Sequence, residues 1–479
     1  MKAEEQIMKS VESINPSKSV IQTKEAAKAT FQKYQAYKDS GEVWLGEIPK
    51  EWELTRLGTR FSERRSKVSD KDFPPLSVTK SGIVPQLDNA AKSNDGDNRK
   101  LVKEGDFVIN SRSDRKGSSG IALEDGSVSL INIVMTPKGI NPLYCNYLLK
   151  STTFVEENYR IGHGIVADLW TTRYDEMKNI KVAIPSLPEQ TAIANFLDDK
   201  TAKIDQAIAQ KEKMITLLKE RKQVIIQNAV TKGLNHGLEG FNDFTEKQES
   251  EKSGNPRPSV IPTKMKDSGV EWIGVIPEHW EVTQIKKIAK TTSGSTPQSG
   301  NVERYYNGSI PWVRTTDLNN DELLDTPVKI TEAAIRDTAC SLMPINTVCV
   351  AMYGGPGTIG KHSILRFSGA INQALCGIMP SKVLNQEYLY YYVKFYRPHW
   401  MFVAKGSRVD PNISQDEVKK MFIPLLPVYE QEKIAAFIES QSEKIGKAIM
   451  LQQTQIEKLK EYKATLIDSA VTGKIKVSF

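Results

Sequence analysis

Cysteine is scarce and scattered, with four residues at 145, 340, 349 and 376 in a chain of 479 and no C-x-x-C pair. A zinc ribbon and a disulfide scaffold are thereby excluded, and reduced, mostly buried thiols are expected. Histidine is almost as rare: the five residues 163, 236, 279, 362 and 399 show no H-E-x-x-H or other paired metal spacing. No G-x-S-x-G elbow and no Asn/Asp-Pro-Pro-Tyr tetrad occurs. The chain therefore carries no recognisable catalytic group, metal site or cofactor site of its own. Apolar runs stay far below the ~18 residues a membrane helix needs. The opening MKAEEQIMKS carries early acidic residues and lacks an apolar signal core, so the expected location is cytoplasmic, away from membranes.

Charge is plentiful. The 65 Lys and Arg outnumber the 58 Asp and Glu to give +7, an excess compatible with a polyanionic partner. At 39% hydrophobic and 26% charged the composition is that of a globular protein. Its length suits several domains of ~100–200 residues.

The chain is written twice. KDSGEVWLGEIPKEWELTRL at 38–57 recurs as KDSGVEWIGVIPEHWEVTQI at 266–285, and Trp44 and Trp52 become Trp272 and Trp280. The segment 175–208, beginning DEMKNIKVAIPSLPEQ, recurs at 416–449 as DEVKKMFIPLLPVYEQ, and AVTKG at 229 recurs as AVTGK at 470. The first offset is 228 (266 − 38) and the second 241 (416 − 175), so the intervening segments 53–174 and 281–415 differ in length. They differ far more in sequence. Each half is thus a constant frame around a variable insert. The expected division is an N-terminal polar, partly helical extension (1–37), a globular domain (38–188), a long helix (189–234), a linker (235–265), a second globular domain (266–429) and a second long helix (430–479).

Both long helices carry a narrow apolar seam. In the first it runs through Ile193, Leu197, Ile204, Ile208, Ile215, Leu218 and Ile225, and in the second through Ile434, Ile438, Ile445, Ile449, Ile456, Leu459 and Leu466. Spacings of three, four and seven with Lys, Glu and Gln between are those of a coiled coil. Pro188 suits a first turn and Gly233 a left-handed cap. About forty residues make a rod of ~60 Å, which cannot bury such a seam alone and is expected to pack against its twin. Lys211 and Lys222 interrupt the seam, which predicts imperfect packing or surface left for another protein.

The inserts share a pattern at 105–135 and 345–379: apolar strand, Gly-rich turn, strand, turn, strand, expected as a β-meander. The second contains GGPGTIGKH (354–362), one residue short of a P-loop because His362 stands where Ser or Thr would follow the lysine. A P-loop opens a helix, whereas Ser363 to Phe367 is strand-like, so a hairpin loop is expected. Basic, amide and aromatic residues gather on these turns. The candidates for nucleic-acid contact are Ser77, Thr79, Lys80, Arg112, Arg115, Lys116, Arg160 and His163 in the first insert. In the second they are Arg304 beside Tyr305 and Tyr306, Arg314 near Trp312, Tyr353, Lys361, Asn372, Gln373, Lys405 and Arg408. Arginine and lysine can meet guanine edges or phosphates, and Asn and Gln can meet adenine.

With that duplicated frame the chain resembles the specificity (S) subunit of type I restriction–modification systems. The resemblance rests on W-x-G-x-I-P-x-x-W heading each half (Trp44 to Trp52, Trp272 to Trp280), SVTKSGIVP at 77–85, GSTP at 294–297, and the I-P-x-x-P-E-Q and I-P-L-L-P-x-x-E-Q runs that open the helices. It implies an α+β fold, two α/β target recognition domains joined by two long conserved helices in an antiparallel coiled coil, with internal pseudo-two-fold duplication. It further implies a non-enzymatic subunit that binds double-stranded DNA at a bipartite asymmetric site. The expected partners are two modification (methyltransferase) subunits, which methylate adenine N6 using S-adenosylmethionine, and two restriction subunits where the system has them. ATP and Mg²⁺ then belong to the partners, and none of these cofactors to this chain.

Overall fold

Glu53–Arg56 (β1) pairs antiparallel with Lys181–Ile184 (β6), placing Glu53 opposite Ile184 and Arg56 opposite Lys181. Strands on either side of the first insert therefore close its base, and residues 53–56 belong to the frame rather than to the insert. The structure is a computed structural model describing residues 31–87, 96–112, 116–164, 171–236, 264–354, 357–406 and 411–477. Residues 1–30, where helix was expected, and most of the linker lie outside that description. The chain divides into two units, one of residues up to Lys211 together with Thr454 onward, the other Glu212–Gln453.

In the first unit a four-stranded antiparallel sheet is built from Phe61–Glu63 (β2), Phe107–Asn110 (β3), Ser119–Ile121 (β4) and Asn132–Pro137 (β5), in the order β4-β3-β5-β2. This corrects the expected meander: the first of the three strands lies between the other two. Phe107, Val108 and Ile109 are buried, and pairing on both edges satisfies the backbone groups that burial strips of water. Two helices, Pro142–Lys150 (α1) and Thr152–Arg160 (α2), are fixed at their starts by the Asn141 and Ser151 side chains, which accept from Tyr144 N and Phe154 N. Their apolar faces contribute Tyr144, Cys145, Leu148, Leu149 and Phe154 to the main core.

Leu187–His236 forms one long helix (α3), with positive φ at Gly233 interrupting its last turn. The second unit repeats the plan. Glu281–Gln284 (β7) pairs with Phe422–Leu425 (β12). Between them Thr291–Ser293 (β8), Val348–Ala351 (β9), His362–Leu365 (β10) and Leu375–Ile378 (β11) are ordered β10-β9-β11-β8, the same arrangement as the first sheet. Glu322–Leu323 adds a parallel edge strand beside β10. One helix, Gln386–Val403 (α4), replaces the first unit's pair, and Val428–Val471 (α5) is the second long helix.

The repeated motifs are clasps. Trp52 Nε1 donates to Glu189 Oε1 at 3.1 Å and Trp280 Nε1 to Glu430 Oε2 at 3.0 Å. The next residue of each helix, Gln190 or Gln431, accepts the backbone N–H of Asn141 or Asn385 at 2.8 Å and donates to Pro185 O or Leu426 O. In the first unit Tyr34 OH also donates to Glu189 at 2.7 Å, and Phe31 packs edge-on against Phe196, so the described end of the N-terminal extension is docked rather than free.

Within the first unit the opening of α3 meets the end of α5 antiparallel, with Lys463 on Asp205 at 2.6 Å and Lys211 Nζ on Gln455 Oε1 at 2.5 Å. In the second unit Ile226, Ala229 and Val230 of α3 share a core with Ile434 and Ile438 of α5. Among the seam positions Ile193, Leu197, Ile204, Ile215, Ile225, Ile434, Ile438, Ile445, Ile456 and Leu466 are buried, while Ile208, Leu218, Ile449 and Leu459 are half-buried. Lys211, which interrupts the seam, ties its ammonium to the facing helix, and burial lowers its pKa. All four cysteines are buried and free. Among the described residues no helix is long and apolar enough to cross a membrane.

Candidate nucleic-acid interface

Much of the expected contact set is structurally occupied. Thr79 Oγ1 donates to Gly82 O at 2.9 Å and accepts from Ser81 N and Gly82 N, while Ser77 Oγ accepts from Leu87 N at 3.2 Å. Thr79 thereby closes the hairpin turn at 79–82, and Ser77 ties down Leu87 just past the hairpin's second strand. Lys80 at the same turn is exposed. Lys116 pairs with Glu156 at 2.7 Å and lies over the Tyr159 ring at 4.3 Å. Arg160 forks onto Glu157, and His163 Nδ1 meets Glu176 at 2.7 Å. Arg115 and Arg408 lie outside the described residues, as does the side chain of Lys405.

The second domain is similar. Arg304 pairs with Asp337 at 2.7 Å and Arg314 with Asp317 at 3.0 Å. Burial works against the Asp317 carboxylate, but the Arg314 hydrogen bonds and charge prevail and hold its pKa below the ordinary value. Gln373 accepts from Thr296, Tyr306 OH donates to Pro297 O at 2.8 Å, and Trp312 Nε1 donates to Ser295 O at 3.1 Å, so these residues anchor the GSTP loop. Gly294 in that loop is required for space, since a Cβ there would overlap the Ile371 carbonyl. Asn372 Oδ1 is buried without a hydrogen-bond partner among the described residues, while Tyr353 remains 39% exposed.

GGPGTIGKH runs into strand β10 at His362 and not into a helix, so no helix N-terminus stands where a P-loop would meet its phosphate. Arg397 on α4 holds the described part of the loop, donating to Gly357 O at 2.8 Å and Ile359 O at 3.3 Å. Lys361 makes no side-chain hydrogen bond or ion pair among the described residues. His362 is buried with Nδ1 3.0 Å from Gly360 O. Burial, chiefly, with Lys394 and Arg397 nearby, lowers its pKa to about 4 despite that bond.

One corner is built alike in both domains. After the central strand, Arg112 bridges to Thr171 and Tyr353 to Asn412. Thr172 N donates to Ser111 O at 3.1 Å and Ile413 N to Met352 O at 2.8 Å. Every member of the second set is its counterpart in the first plus 241, the offset of the frame repeat (353 − 112, 412 − 171, 413 − 172, 352 − 111). In the first domain this corner opens a cleft of about 360 Å³ lined by Glu63, Lys100, Ser111, Arg112, Ile131 and Arg173, among others. Lys100 and Arg173 were not singled out from the sequence. Arg173 stands just before the repeated D-E pair, and that adjacency to the insert boundary was the available signal. Among the described residues no cluster of three His, Cys, Asp or Glu could hold a metal ion.

Residues 277–461 match the family model described as the type I restriction modification DNA specificity domain. The chain is 22% identical over 473 residues to the MjaX specificity subunit of a type I restriction enzyme from Methanocaldococcus jannaschii, a match covering 92% of this chain and 98% of that one. Over 170 residues, 35% of this chain and 38% of the other, it is 31% identical to the MjaIX specificity subunit of the same organism. A chain from a solved structure addressing complex assembly and conformational transition of the type I R-M system superposes with TM-score 0.63 at 15% identity, covering 88% of this chain and 98% of that one. At that identity the likeness establishes the fold.

Proposed function

We propose that this chain is a type I restriction–modification specificity subunit, a non-catalytic class, a reading its match at residues 277–461 and its full-length likeness to the MjaX subunit support, and that it binds double-stranded DNA at a two-part asymmetric site, one half read by each insert domain. The observation that carries this reading is the pair of sheets of identical strand order whose equivalent corners bear different side chains, Arg112 in one and Tyr353 in the other. Two readers of one build and unlike surface suit two unlike half-sites. The long helices then fix the distance between readers and offer surface to two modification subunits, which carry S-adenosylmethionine and methylate adenine N6. Restriction subunits, where present, supply ATP-dependent chemistry.

The deciding experiment co-expresses this chain with the methyltransferase subunit encoded beside it and maps N6-methyladenine across the host genome. A new motif of two short, different blocks around a fixed unread gap is expected. A soluble, intact complex that produces no new motif would overturn the proposal.

A further inference from the structure

Arginine in the first recognition domain is mostly spoken for. Arg60 is on Glu53, Arg64 on Asp106, Arg65 on Glu63 and Arg160 on Glu157, while Arg99 is buried on Ser127. Two others, Arg112 and Arg173, line the same open cleft, and among the described residues neither guanidinium has a hydrogen-bond or ion-pair partner. The one carboxylate in the cleft wall, Glu63, is already shared by Arg65 at 2.6 Å and Lys100 at 3.3 Å. Among the described residues the cleft therefore presents uncompensated positive charge.

The backbone beneath Arg112 is fixed. Its N–H donates to Asn110 Oδ1 at 3.0 Å, Ser111 Oγ donates to Ile131 O at 2.6 Å, and the Thr171 bridge holds the other side. Glu176 accepts the Arg173 N–H at 2.8 Å. A free guanidinium on a pinned backbone is preorganised for a planar two-acceptor partner, and in a DNA groove the matching edge is guanine O6 and N7. In the second domain the equivalent positions, again at an offset of 241, are Tyr353 and Ser414, and Ser414 is spent capping a helix through Glu417 N at 3.2 Å.

Resting on the DNA-reading function above, we propose that Arg112 selects one guanine in the half-site of the first domain, that Arg173 holds a neighbouring phosphate, and that Tyr353 and Ser414 free the second half-site of that requirement. Arg112 is then a specificity residue and Arg173 an affinity residue.

The test maps N6-methyladenine for the full complex carrying Arg112→Ala, Arg112→Lys, Arg112→Gln or Arg173→Ala, with melting temperatures as a folding control. Wild type should show a required G in one half-site. Arg112→Ala should accept any base there, with roughly tenfold or greater loss of discrimination, while the other half-site and the gap stay the same. Arg112→Lys keeps the charge but not the fork and should also relax the base, and Arg112→Gln should shift preference toward adenine. Arg173→Ala should keep the motif, weaken binding uniformly and lower the salt slope of DNA binding by about one. A bipartite wild-type motif left intact by Arg112→Ala would overturn the assignment while leaving the DNA-reading function standing. Failure of Arg112→Ala to assemble with the methyltransferase subunit, with DNA affinity retained, would also overturn it and make the cleft a protein contact. Absence of any wild-type motif would overturn the function itself.

Discussion

Tyr388 donates its hydroxyl to Val230 O at 3.2 Å, and Tyr144 donates to Val471 O at 3.4 Å. Both tyrosines are fully buried, and burial raises their pKa values so that each remains a neutral donor. Each carbonyl lies in the AVT tail of a long helix, and each tail docks on the domain of the opposite half of the sequence. Tyr388 also reaches Pro424 O at 3.2 Å, so Tyr388→Phe strips one donor from two buried carbonyls. The expected cost is about 1–2 kcal/mol, read by chemical denaturation. A change within error would mean that the aromatic packing alone secures the tail.

Gly473 follows the second tail with φ +74°, and a Cβ there would overlap the Pro49 ring and press on Trp52. Gly41 has φ +66° and open space around it. Gly41→Ala should therefore cost about 1 kcal/mol, for conformation alone. Gly473→Ala should cost at least about 2 kcal/mol more, for overpacking added to it. Equal costs by urea titration would show that the tail can shift off the tryptophan freely.

His362 gives the second unit a pH dependence. Its folded pKa of about 4 lies below the ordinary 6.5, mainly through burial, so the unfolded chain takes up a proton that the folded one refuses. Stability is then fully present above about pH 6.5 and is lost as pH falls toward about 4, by an amount on the order of 3 kcal/mol. His362→Asn should flatten this part of the stability–pH curve. The same slope in the variant would assign it to other groups.

The duplicated frame was legible because twenty aligned positions with two tryptophans survive in one chain. Its reason was not. The Trp52–Glu189 and Tyr144–Val471 bonds join residues far apart in sequence, and periodicity carries no information about such pairs. Strand order failed for a related cause. Three strands in a row suggest a meander, but the first of them lies between the other two, and the third pairs on its far edge with Phe61–Glu63, a strand that precedes all three in the chain. Among the candidate contacts, Arg160 and Arg314 have their carboxylates three residues away, at Glu157 and Asp317, and that spacing could have marked them as occupied. Arg304 has its partner at Asp337, which nothing local reveals. Arg112 was one candidate among many. Only the structure removes the partnered ones around it.

On the proposed reading the paired helices act as a ruler, and a ruler can be lengthened without touching either reader. One heptad inserted into each of α3 and α5 preserves the seam, because a seven-residue step returns each isoleucine or leucine to the same face. Each helix grows by ~10 Å, about three base pairs of B-DNA. The unread gap of the methylated motif should widen by about three base pairs with both blocks unchanged. Inserting four residues instead rotates the seam and should lower stability before it changes the gap. A heptad variant that folds, methylates and keeps the original gap would show that the spacing is set by something other than these helices.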